Sequence, residues 1–325
     1  MSGSAVDAQR AAIVYNPIKV DLDALRAAVA REETSNGWLE TLWFSTSEGD
    51  PGQGPAAEAV ESGATLIIAA GGDGTVRAVA EGMRHSTLPL ALLPSGTGNL
   101  LARNLDLTLD DVEHAIHTAF TGEDRPIDLG IIEISRSDGS TTEHAFLVMA
   151  GLGLDAKMLA NTDDDLKKKA GWLAYVRALS ATLRDKNELR FRYTLNHSAP
   201  RAIRAHTIIV GNCGALPANI MLLPDAAVDD GEFDVILLRP EGFIGWVQIF
   251  VKVLWENGVL RRTRAGRALL TKEVSALRYV KARDLSVELE HEEEIELDGD
   301  GFGVATGFHS WVDEGGIHIR VPASA

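Results

Sequence analysis

Thr65-Leu66-Ile67-Ile68-Ala69-Ala70-Gly71-Gly72-Asp73-Gly74-Thr75 decides how this chain is read. Its first six residues are almost all apolar, as in a parallel strand buried on both faces. Val76-Arg77-Ala78-Val79-Ala80 then reads as the opening of a helix. A glycine-rich turn between strand and helix lets a backbone approach a phosphate closely. A lone carboxylate in that turn would repel the phosphate, so Asp73 implies a cation as well. The stretch therefore points to metal-assisted phosphate chemistry.

Strand and helix signals alternate on either side of it. Ala12–Tyr15 reads as a strand ended by Asn16-Pro17, Asp21–Arg31 as a helix and Trp38–Phe44 as a second strand. Ala56–Val60 is helical, and Leu88–Leu93 is a further strand running into Pro94-Ser95-Gly96-Thr97-Gly98-Asn99. Helices follow at Leu100–Asn104 and Asp110–Phe120. Alternating βα units predict a parallel sheet with helices on both faces. Beyond about residue 130, strand patterns dominate, at 131–134, 145–150, 190–195, 205–210, 233–238, 276–280, 285–289 and 295–297. Many of them alternate apolar and polar, as half-buried antiparallel strands do. Helical insertions are expected near 168–183 and 243–258.

The chain has 325 residues, a net charge of −16 and one cysteine, Cys213. That length suits about two domains, and a single cysteine excludes an internal disulfide. The acidic balance argues against nucleic acid as a partner and against long-range attraction to an anionic membrane. The sequence shows no signal-peptide pattern and no run of about 18 apolar residues, so a cytoplasmic protein is expected.

Pro94–Asn99 forms a second glycine turn after a strand. Two such turns at strand C-termini fall where open α/β sheets bind ligands. No Gly-Lys-Ser/Thr tail marks a Walker A loop, and no Gly-x-Gly-x-x-Gly follows the first strand. The ordered set Gly71-Gly72-Asp73-Gly74-Thr75, Pro94-Ser95-Gly96-Thr97-Gly98-Asn99, Pro224-Asp225-Ala226-Ala227-Val228-Asp229-Asp230-Gly231 and Leu297-Asp298-Gly299-Asp300 resembles the motifs of the diacylglycerol kinase catalytic family. The first motif alone is shared with NAD kinases.

The resemblance implies an N-terminal α/β domain, residues 1–130 with a returning tail at about 308–325. A mostly antiparallel β-sandwich, residues 131–307, completes the fold, with the active site in the cleft between the domains. It implies transfer of the ATP γ-phosphoryl group to a lipid hydroxyl, most simply diacylglycerol to phosphatidic acid, with Mg²⁺. Asp298 then matches the general base. Asn16, Gly71, Gly72, Asp73, Gly74, Thr75, Ser95, Gly96, Thr97, Asn99 and Asp300 match nucleotide-binding positions. Asp73, Asp128 and Asp230 match metal positions. From spacing alone, Asp298-Gly299 and Asp230-Gly231 read equally as β-turns.

Three positions depart from the family pattern. Asn16-Pro17-Ile18-Lys19 lacks the usual Ser-Gly, Leu100 stands where an acidic residue is common, and Asp300 replaces a glutamate. A lipid substrate implies peripheral contact with the inner membrane face. Lys167-Lys168-Lys169 and Arg261-Arg262-Thr263-Arg264 are the basic segments available for it. Other readings stay open: a sphingoid-base or other lipid kinase, an NAD kinase, a noncatalytic nucleotide- or lipid-binding protein, and a homodimer.

Overall fold

A computed structural model describes residues 9–153, 188–216, 220–223, 225–239 and 277–323. In chain order the first elements are β1 (Arg10–Tyr15), α1 (Leu22–Asn36), β2 (Leu39–Ser45), α2 (Gln53–Glu61), β3 (Leu66–Gly71), α3 (Asp73–Gly82), β4 (Leu90–Pro94), α4 (Leu100–Asn104) and α5 (Val112–Thr121). Then come β5 (Glu123–Ser135), β6 (Thr141–Phe146), β7 (Met149–Leu152), β8 (Leu189–Leu195), β9 (Arg201–Ala205), β10 (Thr207–Gly211), β11 (Ala215–Leu216), β12 (Ile220–Met221), β13 (Phe233–Leu238), β14 (Leu277–Ala282), β15 (Asp284–Leu297) and β16 (Asp300–Val321). The chain forms two compact units, Met1–Leu129 with Glu314–Ala325, and Gly130–Asp313. It passes from one unit to the other inside β5 and again inside β16.

In the first unit β2, β1, β3 and β4 are parallel neighbours in that order. The end of β16 adds a parallel strand beside β4, with Ile319 opposite Leu90. Every residue of β3 is buried, as its unbroken apolar run requires. Ala11, Ile13, Leu66, Ile68 and Leu93 share a core with Leu25, Ala28 and Val29 of α1 and Ile116, Ala119 and Phe120 of α5. The alternate residues Ala12, Val14, Ile67 and Ala69 are equally buried. They point to the opposite face, where α2 and α3 pack against each other and against the strands. Helix α1 starts where the Asp21 side chain accepts from Ala24 N, and ends at Gly37 in the left-handed region, φ 71°. Its C-terminus lies past Arg31 because the left-handed stop comes only at Gly37.

The second unit is antiparallel. One path runs β14-β13-β10-β7-β15, and β15 also pairs with the first part of β16 and with β8, which pairs in turn with β9. Its core gathers Phe146, Phe191, Phe233, Ile208, Leu285, Ile295 and Phe308. The Phe146 and Phe233 rings stack at 5.4 Å. Phe146 lies opposite Gly130 on β5, and a Cβ on Gly130 would fall 2.4 Å from that ring. Glycine thus makes the room that the aromatic fills.

Two expectations need correction. The 145–150 segment is two strands, β6 and β7, with a break at Leu147-Val148. The segments 285–289 and 295–297 are one strand, β15, carried through the acidic run by register shifts. The helices expected at 168–183 and 243–258, and both basic segments, lie outside the described residues. No helix among the described residues is long and apolar enough to cross a membrane.

Candidate active site

The two glycine turns emerge from the C-terminal ends of the neighbouring parallel strands β3 and β4, and they interlock. Ser95 N donates to Gly71 O at 2.9 Å, so the sheet ladder continues into the turns. The Asp73 carboxylate reaches across to the second turn. Its Oδ2 accepts from Asn99 N at 2.8 Å and its Oδ1 from Leu100 N at 2.5 Å. Asn99 in turn closes its own loop. Its Oδ1 accepts from Gly96 N at 3.0 Å and its Nδ2 donates to Gly96 O at 3.0 Å. This bonding holds Asn99 at φ 48°, a left-handed conformation that asparagine tolerates.

Close approach explains the glycines. A Cβ on Gly96 would lie 2.7 Å from Gly72 Cα, one on Gly98 2.5 Å from Asp73 Oδ2, and one on Gly71 2.5 Å from Thr75 Cβ. The structure therefore brings Gly71, Gly72, Asp73, Gly96 and Asn99 together, with Thr75 buried beneath Gly71 and Thr97 exposed. Gly72 caps α3 without a side-chain hydrogen bond, which suits a helix N-terminus facing an anion.

Asn16 sits at the end of β1, its N–H bonded to Ala70 O at 2.9 Å. Its Oδ1 accepts from Ile18 N at 3.0 Å, so its amide folds onto its own turn. A cavity of about 350 Å³ opens beside this turn, lined in part by Lys19, Val20, Ser95, Gly96, Asp110 and Val112. Its size lies in the range of small-molecule pockets. Lys19, in place of the usual small residue, brings a positive charge to that wall.

Asp128 is buried in β5, and its Oδ1 accepts from Gly315 N at 2.9 Å. It ties the returning strand β16 to β5 within the first unit. Among the described residues no three of His, Cys, Asp and Glu gather closely enough to hold a metal ion. Asp73 and Asp128, two of the expected metal positions, each accept backbone amides instead: Asp73 from Asn99 and Leu100, Asp128 from Gly315.

In the second unit Asp298 and Gly299 form the two-residue loop between β15 and β16, with φ 49° and 90°. That is the type I′ geometry of an Asp-Gly hairpin. The carboxylate of Asp298 is buried. Its Oδ2 accepts from Leu147 N at 2.8 Å, and its Oδ1 from Val148 N at 2.8 Å and Met149 N at 2.9 Å. Its own N–H donates to Met149 O at 2.8 Å. The turn reading holds, and the same residue carries a buried carboxylate that accepts three backbone amides. The three amides that turn inward to it also break the strand at Leu147-Val148. Asp300, the next residue after the loop, is exposed.

Asp230 carries a partner that the motif did not announce. Lys281 Nζ lies 2.6 Å from Asp230 Oδ2 and 3.4 Å from Asp234 Oδ2. Its hydrogen bond to Asp230 pushes the Lys281 ammonium above the ordinary lysine value. Burial raises the Asp234 carboxyl, against the pull of Lys281. Lys281 escaped the sequence reading because it lies on an ordinary strand, far from the motif. The interlock at Asn99 and Leu100 was hidden for a related reason: backbone amides leave no compositional trace.

Two family models cover most of the chain: the diacylglycerol kinase catalytic domain over residues 11–132, and the YegS C-terminal NAD kinase beta sandwich-like domain over 148–307. A protein of Pseudomonas aeruginosa named "probable lipid kinase YegS-like" is 30% identical over 246 residues, 74% of this chain and 76% of its own. A "diacylglycerol kinase" of Bacillus subtilis is 25% identical over 305 residues, 92% of each. Among solved structures, a diacylglycerol kinase from Bacillus anthracis superposes with a TM-score of 0.64 at 20% identity, covering 96% of each chain. Yeast NADH kinase shares the fold more distantly, with a TM-score of 0.52 at 10% identity over 98% of this chain and 80% of its own. Fold, ordered motifs and relatives agree, and the chain belongs to the lipid kinase family built on the diacylglycerol kinase catalytic domain and the YegS-type β-sandwich.

Proposed function

We propose that this lipid kinase transfers the γ-phosphoryl group of ATP to the free hydroxyl of diacylglycerol, giving phosphatidic acid and ADP. The observation that carries the reading is the interlock of the two glycine turns by Asp73. It builds a glycine-lined, hydrogen-bonded corner at the end of a parallel sheet, and phosphoryl transfer depends on such positioning.

The hydroxyl oxygen attacks the γ-phosphorus, the bond to the β–γ bridging oxygen breaks, and ADP departs. Asp298 accepts the hydroxyl proton. The bonds from Leu147, Val148 and Met149 fix its orientation, as a general base requires. Mg²⁺ would enter on the phosphates with Asp73 as a protein carboxylate beside it, and would supply charge neutralisation. Diacylglycerol reaches the protein from a bilayer by transient peripheral contact.

Incubation with γ-labelled ATP and a panel of diacylglycerol, monoacylglycerol, sphingosine and NAD tests this directly. Label in phosphatidic acid is the expected result. Label in another lipid moves the acceptor, and label in NADP removes the lipid reading. The engagement of all of Asp298's named bonds with backbone favours one second reading, nucleotide binding without transfer. ATP binding with no labelled product on any acceptor is its signature.

A further inference from the structure

We infer that the Lys281 ammonium is a tethered cation that takes the place of a divalent metal at Asp230, so that Asp230 and Asp234 share a positive charge supplied by the chain itself. The motif resemblance makes Asp230 a metal position, and the geometry around it disagrees. Asp234 on β13 and Lys281 on β14 are direct cross-strand partners, an arrangement in which opposite charges attract across a sheet. From there the side chain of Lys281 extends to the turn before β13. Its Nζ donates to Asp230 Oδ2 at 2.6 Å and to the Asp225 backbone oxygen at 3.2 Å. The third oxygen near it is Asp234 Oδ2 at 3.4 Å.

An ammonium carries three donors and no acceptor, and here it faces three oxygens. Two carboxylates and a backbone carbonyl are also the mixture a hard divalent ion selects. Such an ion would need those oxygens at about 2.0–2.6 Å, and the ammonium already stands 2.6 Å from the one that counts. A second cation on that oxygen would meet direct like-charge repulsion. The other oxygen of Asp230 is also engaged, because Oδ1 accepts from Glu232 N at 3.1 Å. Asp234 Oδ2 is buried and makes no hydrogen bond among the described residues. The ammonium is therefore its compensating charge, and removing Lys281 would leave a buried carboxylate without one.

Thermal unfolding of the full chain without nucleotide, in EDTA and in millimolar Mg²⁺ or Ca²⁺ at matched ionic strength, tests the idea. The wild type is expected to melt at the same temperature in all three. Lys281→Ala is expected to melt several degrees lower in EDTA and to regain much of that in Ca²⁺ or Mg²⁺, and adding Asp230→Asn should abolish the recovery. Tb³⁺ luminescence gives a second readout: little Asp230-dependent signal in the wild type, a clear one in Lys281→Ala. If Lys281→Ala does not fold, Lys281→Gln keeps the stem and takes its place. A divalent-ion stabilisation of the wild type that Asp230→Asn removes overturns the inference. So does a lysine variant that folds and gains nothing from any divalent ion.

Discussion

At Asp73 a single carboxylate does two jobs that pull in different directions. The proposed reaction sets it beside a phosphate-bound Mg²⁺, yet both its oxygens accept backbone amides from Asn99 and Leu100. Asp73→Asn keeps the size but sets an NH₂ group against one of those amides. Hydrogen bonds to charged groups are worth about 1.5–3 kcal/mol, so ATP should bind roughly 10- to 100-fold more weakly by calorimetry. Gly98→Ala attacks the same bond from the other side, through a Cβ 2.5 Å from Asp73 Oδ2. The two changes together should cost little more than either alone, because both break one interlock. Asp298 poses the matching problem in the second unit. Asp298→Asn should abolish turnover, and it should also lower the melting temperature, because an amide NH₂ would face Leu147 N–H or the Val148 and Met149 pair. Asp300→Asn, at an exposed position, should lower that temperature less. Equal thermal effects of the two substitutions would remove the buried role assigned to Asp298.

At the scale of elements, sequence pattern succeeded where neighbours in sequence decide the outcome. Helix Leu100–Asn104 has the expected bounds, and β13 spans the expected Phe233–Leu238. It failed where distant groups decide. The 145–150 segment is apolar throughout, yet it breaks at Leu147-Val148 because amides there bond a carboxylate 151 and 150 positions away. Strand β5 runs through Pro126, which reads as a breaker, and begins at Glu123. The acidic residues 290–294 fall between two expected strands but belong to β15, where Glu293 and Glu294 pair with Ala305 and Val304. The glycine corner was visible as a motif, while the bonds that join its two halves and the lysine at Asp230 were not. Gly130 opposite Phe146 is another such tertiary fact. Gly130→Ala overpacks the core and should cost about 1–3 kcal/mol in denaturant unfolding. Phe146→Leu, harmful by itself, should recover part of that loss when combined with it.

On the scale of the whole molecule, the first unit is discontinuous. Its strand β4 pairs with Ile319, its Asp128 accepts from Gly315 N, and Arg320 pairs with Asp124 and bonds Ala119 O. Removing residues 314–325 should therefore abolish ATP binding although every glycine motif remains in place. Nucleotide binding that survives the truncation would show that residues 1–129 hold the unit alone. The same wiring sets an order of events during synthesis. Domains usually fold as they leave the ribosome, the N-terminal one first. Here the sequence of the second unit, Gly130–Asp313, is continuous, whereas the first-made unit lacks a strand until residues 314–321 are translated. The half of the enzyme that is made first is thus the half that can be completed only last, and a nascent chain stalled anywhere before Glu314 carries its glycine loops without the strand that closes their sheet.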